Sequence, residues 1–275
     1  MKGPAKTVLV GAAIAAMTVP STAMAAPAGT HVPDQVSQGA LVVARTDPGN
    51  RVQVAGRDVR VADDGSFVFG VARDATGRVP VKVTRPDGSV EWDSPDVMAR
   101  EWDIEIIDGV PPETVDPPKA VAERIAREAA AVAAARTRDD ARNGFAQAFG
   151  WPVRGRISGR FGSGRVYNGR PGAGHSGMDI AAAEGTPVLA PASGVVTLAD
   201  DLYITGGTVL LDHGHGVSSN FLHLSRIDVA VGDTVEQGEP IGAVGATGRA
   251  TGPHLHWGVN WFDVRVDPAL VLPSD

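Results

Sequence analysis

Glycine and proline, 34 and 20 residues out of 275, cut the chain into apolar runs that are mostly too short for helices and long enough for strands. From Gly39 to about Val110 the runs are Leu41 to Ala44, Val52 to Ala55, Val59 to Val61, Phe67 to Phe69, Val79 to Thr84 and Trp102 to Ile107. Asp64-Gly65 and Asp87-Gly88 stand between them, and both pairs accept the positive φ that a tight hairpin needs. From Trp151 onward the glycine-punctuated β pattern returns. The expected class is mainly β. The length exceeds what one ordinary core needs, so two β units are expected, a small sandwich over 39–110 and a second domain over 149–275.

The segment between them reads differently. Pro111-Pro112 and Pro117-Pro118 bracket a stiff linker, and Lys119 to about Asn143 is rich in Ala, Glu and Arg. Val121, Ile125 and Val132 fall near one helical face, Glu123 and Arg127 can pair at i,i+4, and Gly144 can end the helix. Residues 111–148 are therefore a Pro-rich linker and an amphipathic helix. It is either a connector packed on its neighbour or an element that covers a site, and periodicity alone does not choose. The sandwich resembles, in pattern only, the immunoglobulin-like modules of exported bacterial proteins. It contains no His, and its Asp residues sit mostly in turns. A spacer role, or contact with other envelope proteins, is what that leaves for it.

Residues 1–25 read as a secretory signal peptide. Lys2 and Lys6 precede an apolar run, Val8 to Val19, too short to span a bilayer comfortably, and Ala23-Met24-Ala25 supplies the small residues of a cleavage site. Removing them takes the formal charge from −7 to −9, with 26–38 expected as a flexible mature terminus. The product is expected to be exported, periplasmic or extracellular, with no transmembrane segment after cleavage. Its acidity argues against nucleic acid as a partner.

The chain has no Cys, which excludes disulfides, thiolate zinc sites and cysteine nucleophiles, so a metal must be held by His, Asp or Glu. Six of the seven His lie beyond Trp151, His31 being the exception. His175 and Asp179 are four residues apart, which puts both on one side of a helix or a strand, and Gly172, Gly174 and Gly177 argue against the helix. His254-Leu255-His256 alternates, so in a strand both imidazoles face one way and Leu255 faces the core. His223 sits among apolar residues, a setting that also suits a buried, hydrogen-bonded histidine. His213-Gly214-His215-Gly216 mimics a ligand pair, but its glycines read as a hairpin tip. His175, Asp179 and one imidazole of the 254/256 pair supply the three protein ligands of a catalytic zinc site.

Three segments, His175-x-x-x-Asp179, Phe221-Leu222-His223-Leu224-Ser225 and Thr247-Gly248-Arg249-Ala250-Thr251-Gly252-Pro253-His254-Leu255-His256-Trp257, resemble in that order the signature of the lysostaphin-like (LytM-type) zinc peptidases that cut peptidoglycan peptides. The resemblance covers about Trp151 to Trp261. It implies an antiparallel β catalytic domain with an open groove, one zinc ion per chain on His175, Asp179 and His256, and His223 with His254 as the acid/base and transition-state pair. Every expected position is filled. Two departures, Phe221 where Tyr is often seen and the small-residue run Val217 to Asn220, bear on the groove rather than on the ligands. The implied substrate is a peptide cross-link of the wall, with D-alanyl-diaminopimelate preferred over glycyl-glycine because nothing here resembles a module for glycine bridges.

Two other classes share features with this sequence. A catalytically inactive wall-binding or amidase-activating protein would be expected to have lost ligands. The Gly-Asp-Thr-Val-Glu-Gln-Gly-Glu-Pro-Ile run of residues 232–241 resembles biotinyl and lipoyl carrier hairpins, but those need a modifiable Lys, and the lysines are Lys2, Lys6, Lys82 and Lys119.

Overall fold

The computed structural model describes residues 29–109 and 118–273. The signal peptide and the diproline pairs up to Pro117 lie outside the described residues. Strand is the dominant regular structure of the described residues, as expected, and at its centre is an eight-stranded sheet. In spatial order the strands are Arg156–Gly159, Met178–Ala181, His254–Trp261, Val217–Leu224, Gly206–Gly214, Gly194–Leu202 and Thr234–Val235, with Val264–Val266 folding back on His254–Trp261. All of these pairings are antiparallel.

The N-terminal region builds a four-stranded antiparallel sheet in the order Arg57–Val59, Arg51–Val54, Val81–Thr84, Val90–Asp93. Leu41–Arg45 pairs antiparallel with Ser66–Gly70 beside it. Strand alternation is plain here: Val81 and Val83 are buried while Lys82 and Thr84 are only half-buried. Phe67, Phe69, Val52 and Val83 join Trp257, Trp261 and Val266 in one continuous apolar core. The N-terminal sheets therefore cover one end of the central sheet directly. At Gly70 a Cβ would come within 3.0 Å of the Trp261 Cβ, so glycine permits this close approach.

Four differences from the sequence reading have physical causes. Ile104–Ile107 is not part of the N-terminal sheets; it runs parallel to Gly164–Tyr167 of the second domain. Its Ile residues look like core in sequence, yet Ile104 and Ile106 are 74% and 72% exposed. Gln35–Ser37, inside the terminus expected to be flexible, pairs in parallel with Asp96–Met98 and buries Val36. Asp87-Gly88 does close a hairpin, but Asp64-Gly65 turns the chain from one sheet to another, and the second hairpin uses Ala55-Gly56, both at positive φ. The helix runs only Lys119–Ala135, and its ion pair is Arg124–Glu128 rather than Glu123–Arg127.

The helix stops at Arg136 because the residues beyond it serve other partners: Arg138 pairs with Asp140 and Asp212, and Asp139 with Arg60. Gly144 lies past that stop, in a short 3-10 turn against Ser193, where a Cβ would come 2.2 Å from the Ser193 carbonyl oxygen. Val132 and Ala135 of the helix pack on Leu198, Leu202 and Leu210 of the central sheet. Among the described residues no helix is long and apolar enough to cross a membrane.

Candidate metal centre

Register across two strands assembles the site. Met178–Ala181 pairs antiparallel with His254–Trp261 so that Asp179 is opposite His256 and Ala181 opposite His254. Leu255 and Trp257 are fully buried on the other face, which leaves His254 and His256 sharing the cavity face as the alternation predicts. His175 enters from the glycine-rich loop ahead of Met178. Its Nε2 lies 3.0 Å from Asp179 Oδ1 and 3.0 Å from His256 Nδ1, and His256 Nδ1 is 2.8 Å from Asp179 Oδ1. All three side chains are buried, and their ligand atoms lie within 4.8 Å of one another.

The proton inventory shows what such a cluster fits. His175 Nδ1 is 2.9 Å from the Arg160 carbonyl, which can only accept, so Nδ1 carries the proton and Nε2 presents a lone pair. That lone pair faces the Asp179 carboxylate and the His256 ring. Burial, assisted by the neighbouring charges of His175 and Arg165, pushes His256 down to about 4 although Asp179 pulls the other way. Burial opposes the charge on Asp179, but its close contacts with the two imidazoles outweigh it and hold the carboxyl far below the usual range. Neutral imidazole nitrogens and a carboxylate oxygen converging without enough protons between them are a donor set that fits a divalent metal ion.

The other carboxylate oxygen has its own partner, since Asp179 Oδ2 accepts from Arg165 Nη2 at 2.6 Å. Arg165 is steadied in turn by Glu105 of the Ile104–Ile107 strand, at 3.1 Å. This outer pair orients the Asp179 carboxylate, and sequence reasoning missed it. Arg165 lies outside every recognised motif, and its strand gives no signal beyond alternation.

His223 and His254 stand next to the triad, their rings 4.9 Å apart between centroids. His254 Nδ1 bonds the Gly252 carbonyl at 2.8 Å, and His223 Nδ1 bonds the Thr247 carbonyl at 2.8 Å. Both rings are thus fixed in the tautomer that leaves Nε2 as an acceptor. His254 Nε2 is 3.9 Å from Asp179 Oδ1. Burial, then the charges of His256 and His254, push His223 down to about 3, so it is neutral at ordinary pH. His223 also holds a backbone φ of +64°, a left-handed conformation that strains a non-glycine residue.

These groups line a cavity of about 350 Å³ that also exposes Tyr167, Thr205, Leu222 and Arg249. Arg249 stacks over Tyr167 at 4.6 Å. Phe221, a departure in the sequence motif, is fully buried on the core face opposite Trp257, so it does not line the groove. His213 and His215 flank the expected turn but are buried structural groups. His213 bonds Ser193 and Ser219, and His215 packs on Phe145 at 4.3 Å.

The model for the family "Peptidase family M23" matches residues 173–268, the segment that contains all five site residues. A solved Pseudomonas aeruginosa structure described as a peptidase M23 is 34% identical, covers 86% of this chain and 94% of that one, and aligns with a TM-score of 0.67. This chain belongs to peptidase family M23. Curated relatives match over shorter stretches. The DD-carboxypeptidase/endopeptidase Mpg of Neisseria meningitidis is 45% identical over 101 residues, 36% of this chain and 23% of that protein. The peptidoglycan DD-endopeptidase ShyA of Vibrio cholerae is 43% identical over 83 residues, 30% of this chain and 19% of that protein. The matched part is thus less than a quarter of either relative's length.

Proposed function

We propose that this M23 chain is an exported, zinc-dependent endopeptidase that hydrolyses peptide cross-links of peptidoglycan. His175, Asp179 and His256 hold one zinc ion, and His223 with His254 handle protons. The carrying observation is the convergence of His175 Nε2, Asp179 Oδ1 and His256 Nδ1 beside two imidazoles whose Nε2 atoms are acceptors.

Zinc, when bound, polarises the scissile carbonyl and lowers the pKa of water to about 7. The chain's own residues do the rest. Arg165 keeps the Asp179 carboxylate turned toward the ligand position. His254, with Nδ1–H committed to Gly252, can take a proton from the attacking water at Nε2 and return it to the leaving amine. His223 has the same tautomer, so it can donate to a developing oxyanion only after it has itself taken a proton. The pair therefore begins as two bases, and whichever accepts the water proton becomes the donor. No side-chain nucleophile is needed.

The relatives Mpg, a DD-carboxypeptidase/endopeptidase, and ShyA, a peptidoglycan DD-endopeptidase, support D-alanyl-diaminopimelate as the preferred bond over glycyl-glycine. Such a substrate places the protein outside the cytoplasm, in the periplasm or beyond the cell, in keeping with the signal-like first 25 residues. The filled ligand set favours an enzyme over an inactive wall-binding or activating relative. Contacts with other envelope proteins would fall to the N-terminal module. Purified walls of both cross-link types, digested with the zinc-loaded protein, test the reading through the newly freed amine. A diaminopimelate amine is expected, a glycine amine would reassign the substrate, and no new amine from either wall would overturn the proposal.

A further inference from the structure

Beyond Ser176 and Leu222 the cavity over the triad continues into a second, half-open one of about 310 Å³ between the helix and the central sheet. Its walls are apolar on both sides, with Ile125 and Val132 from the helix and Leu202 and Leu210 from the sheet. Two cations break that lining. Arg136, the residue at which the helix ends, is part of its lining, and Arg265 of the Val264–Val266 strand borders both cavities; the two arginines also line a shallow depression beside Asp263.

Arg265 is exposed and Arg136 half-buried. Arg136 Nε is buried without a hydrogen-bond acceptor, and no ion pair joins Arg136 or Arg265 to a carboxylate among the described residues. Glu128 is the one carboxylate of the lining, and both its oxygens are taken, by Arg124 and by the Tyr203 N–H. Burial first, and repulsion from Arg265 second, bring Arg136 down to about 10. A half-dry guanidinium facing a second one is unfavourable until an anion bridges them. Arginine forks suit a carboxylate, and the apolar walls suit a short aliphatic chain carrying it.

We propose that Arg136 and Arg265 form a carboxylate subsite of the groove, which takes a free carboxylate of the substrate peptide while its aliphatic part rests on Ile125, Val132 and Leu222. The subsite rests on the endopeptidase reading and deepens it: the preferred strand of the cross-link carries an unamidated carboxylate. The helix is then neither a mere connector nor a cover, since it supplies one wall of the substrate site.

The test compares two synthetic cross-linked dimers that differ only in one stem carboxylate, free in one and carboxamide in the other, using the full zinc-loaded chain. Wild type should have the lower KM for the free acid. Arg136→Gln and Arg265→Gln should each raise that KM about tenfold, leave kcat nearly unchanged, and erase the preference over the carboxamide. Equal KM for both dimers in wild type, or equal losses on both in the variants, would overturn the subsite. If Arg136→Gln fails to fold, Arg265→Gln on the opposite wall carries the same readout. If neither dimer is cut, the endopeptidase reading fails, and calorimetry then decides the subsite alone. The tetrapeptide L-alanyl-D-glutamyl-diaminopimelyl-D-alanine should bind wild type more tightly than its carboxamide and lose that advantage in Arg265→Gln, whereas equal binding would refute the subsite.

Discussion

Asp179 and His256 are directly opposed across the antiparallel pair of Met178–Ala181 and His254–Trp261, with Oδ1 and Nδ1 2.8 Å apart. A slip of one residue would replace Asp179 by Met178 or Ile180, both buried on the other face. The geometry of the candidate site is therefore a property of strand register, and the loop holding His175 needs only to bring one imidazole to a pair already in place.

Arg165 is expected to tune that pair without touching the metal position. Arg165→Ala removes the bond to Asp179 Oδ2 and should weaken zinc affinity about 10- to 100-fold, measured by competition with a chelating dye. Unchanged affinity would show that the carboxylate is oriented by the two imidazoles alone.

His223→Ala and His254→Ala should separate proton handling from metal retention. Each is expected to keep most of its zinc and to lose activity by about 100-fold or more. His215→Ala should leave the chemistry intact, because the ring packs on Phe145 away from the cavity. A folded, zinc-loaded but inactive His215→Ala protein would show a role the geometry does not account for.

His213 makes stability depend on pH. Burial lowers it from an ordinary 6.5 to about 4, so the fold favours the neutral ring. The stabilisation is complete above pH 6.5 and is lost as pH falls toward 4, about 3 kcal/mol in all. Asp212, which burial raises to about 6, offsets part of this by taking up a proton in the folded state over the same range. Denaturant titrations of wild type and His213→Asn isolate the histidine: the gap between them should narrow as pH drops from 7 to 4. A gap independent of pH would contradict the assignment.

A chain beginning at Phe149 should fold less stably than the full protein and melt at a lower temperature. It would expose Trp261 and Val266, which are buried in the core shared with Phe67 and Phe69, and it would leave Arg165 without Glu105. If the helix covers the groove rather than forming its wall, the shortened chain would digest walls faster at equal zinc content; the carboxylate subsite predicts a slower one.

The ligand triad was legible because its signals are local. His254 and His256 are two residues apart, a spacing that alternation turns directly into a shared face, whereas His175, four residues before Asp179, reaches it from a glycine-rich loop rather than along the strand the spacing suggested. The glycines around His175 correctly spoke against a helix, but they build a loop and not a strand. Arg165, Tyr167 and Arg136 were not legible, since each reaches its site through tertiary pairing that no spacing encodes. Ile104–Ile107 misled for a related reason: an exposed parallel edge strand carries the same apolar residues as a core strand, and only its partner distinguishes them. The helix was placed by its periodicity, but its end depended on Arg138 and Asp139 finding partners far along the chain.

The most direct test of the account is zinc content measured beside amine release in wild type and Asp179→Ala, on walls cross-linked through diaminopimelate. Wild type should hold close to one zinc per chain and free diaminopimelate amines, and Asp179→Ala should lose both together. Full hydrolysis by a zinc-free Asp179→Ala protein would contradict the assignment of the triad as a metal centre that drives the reaction.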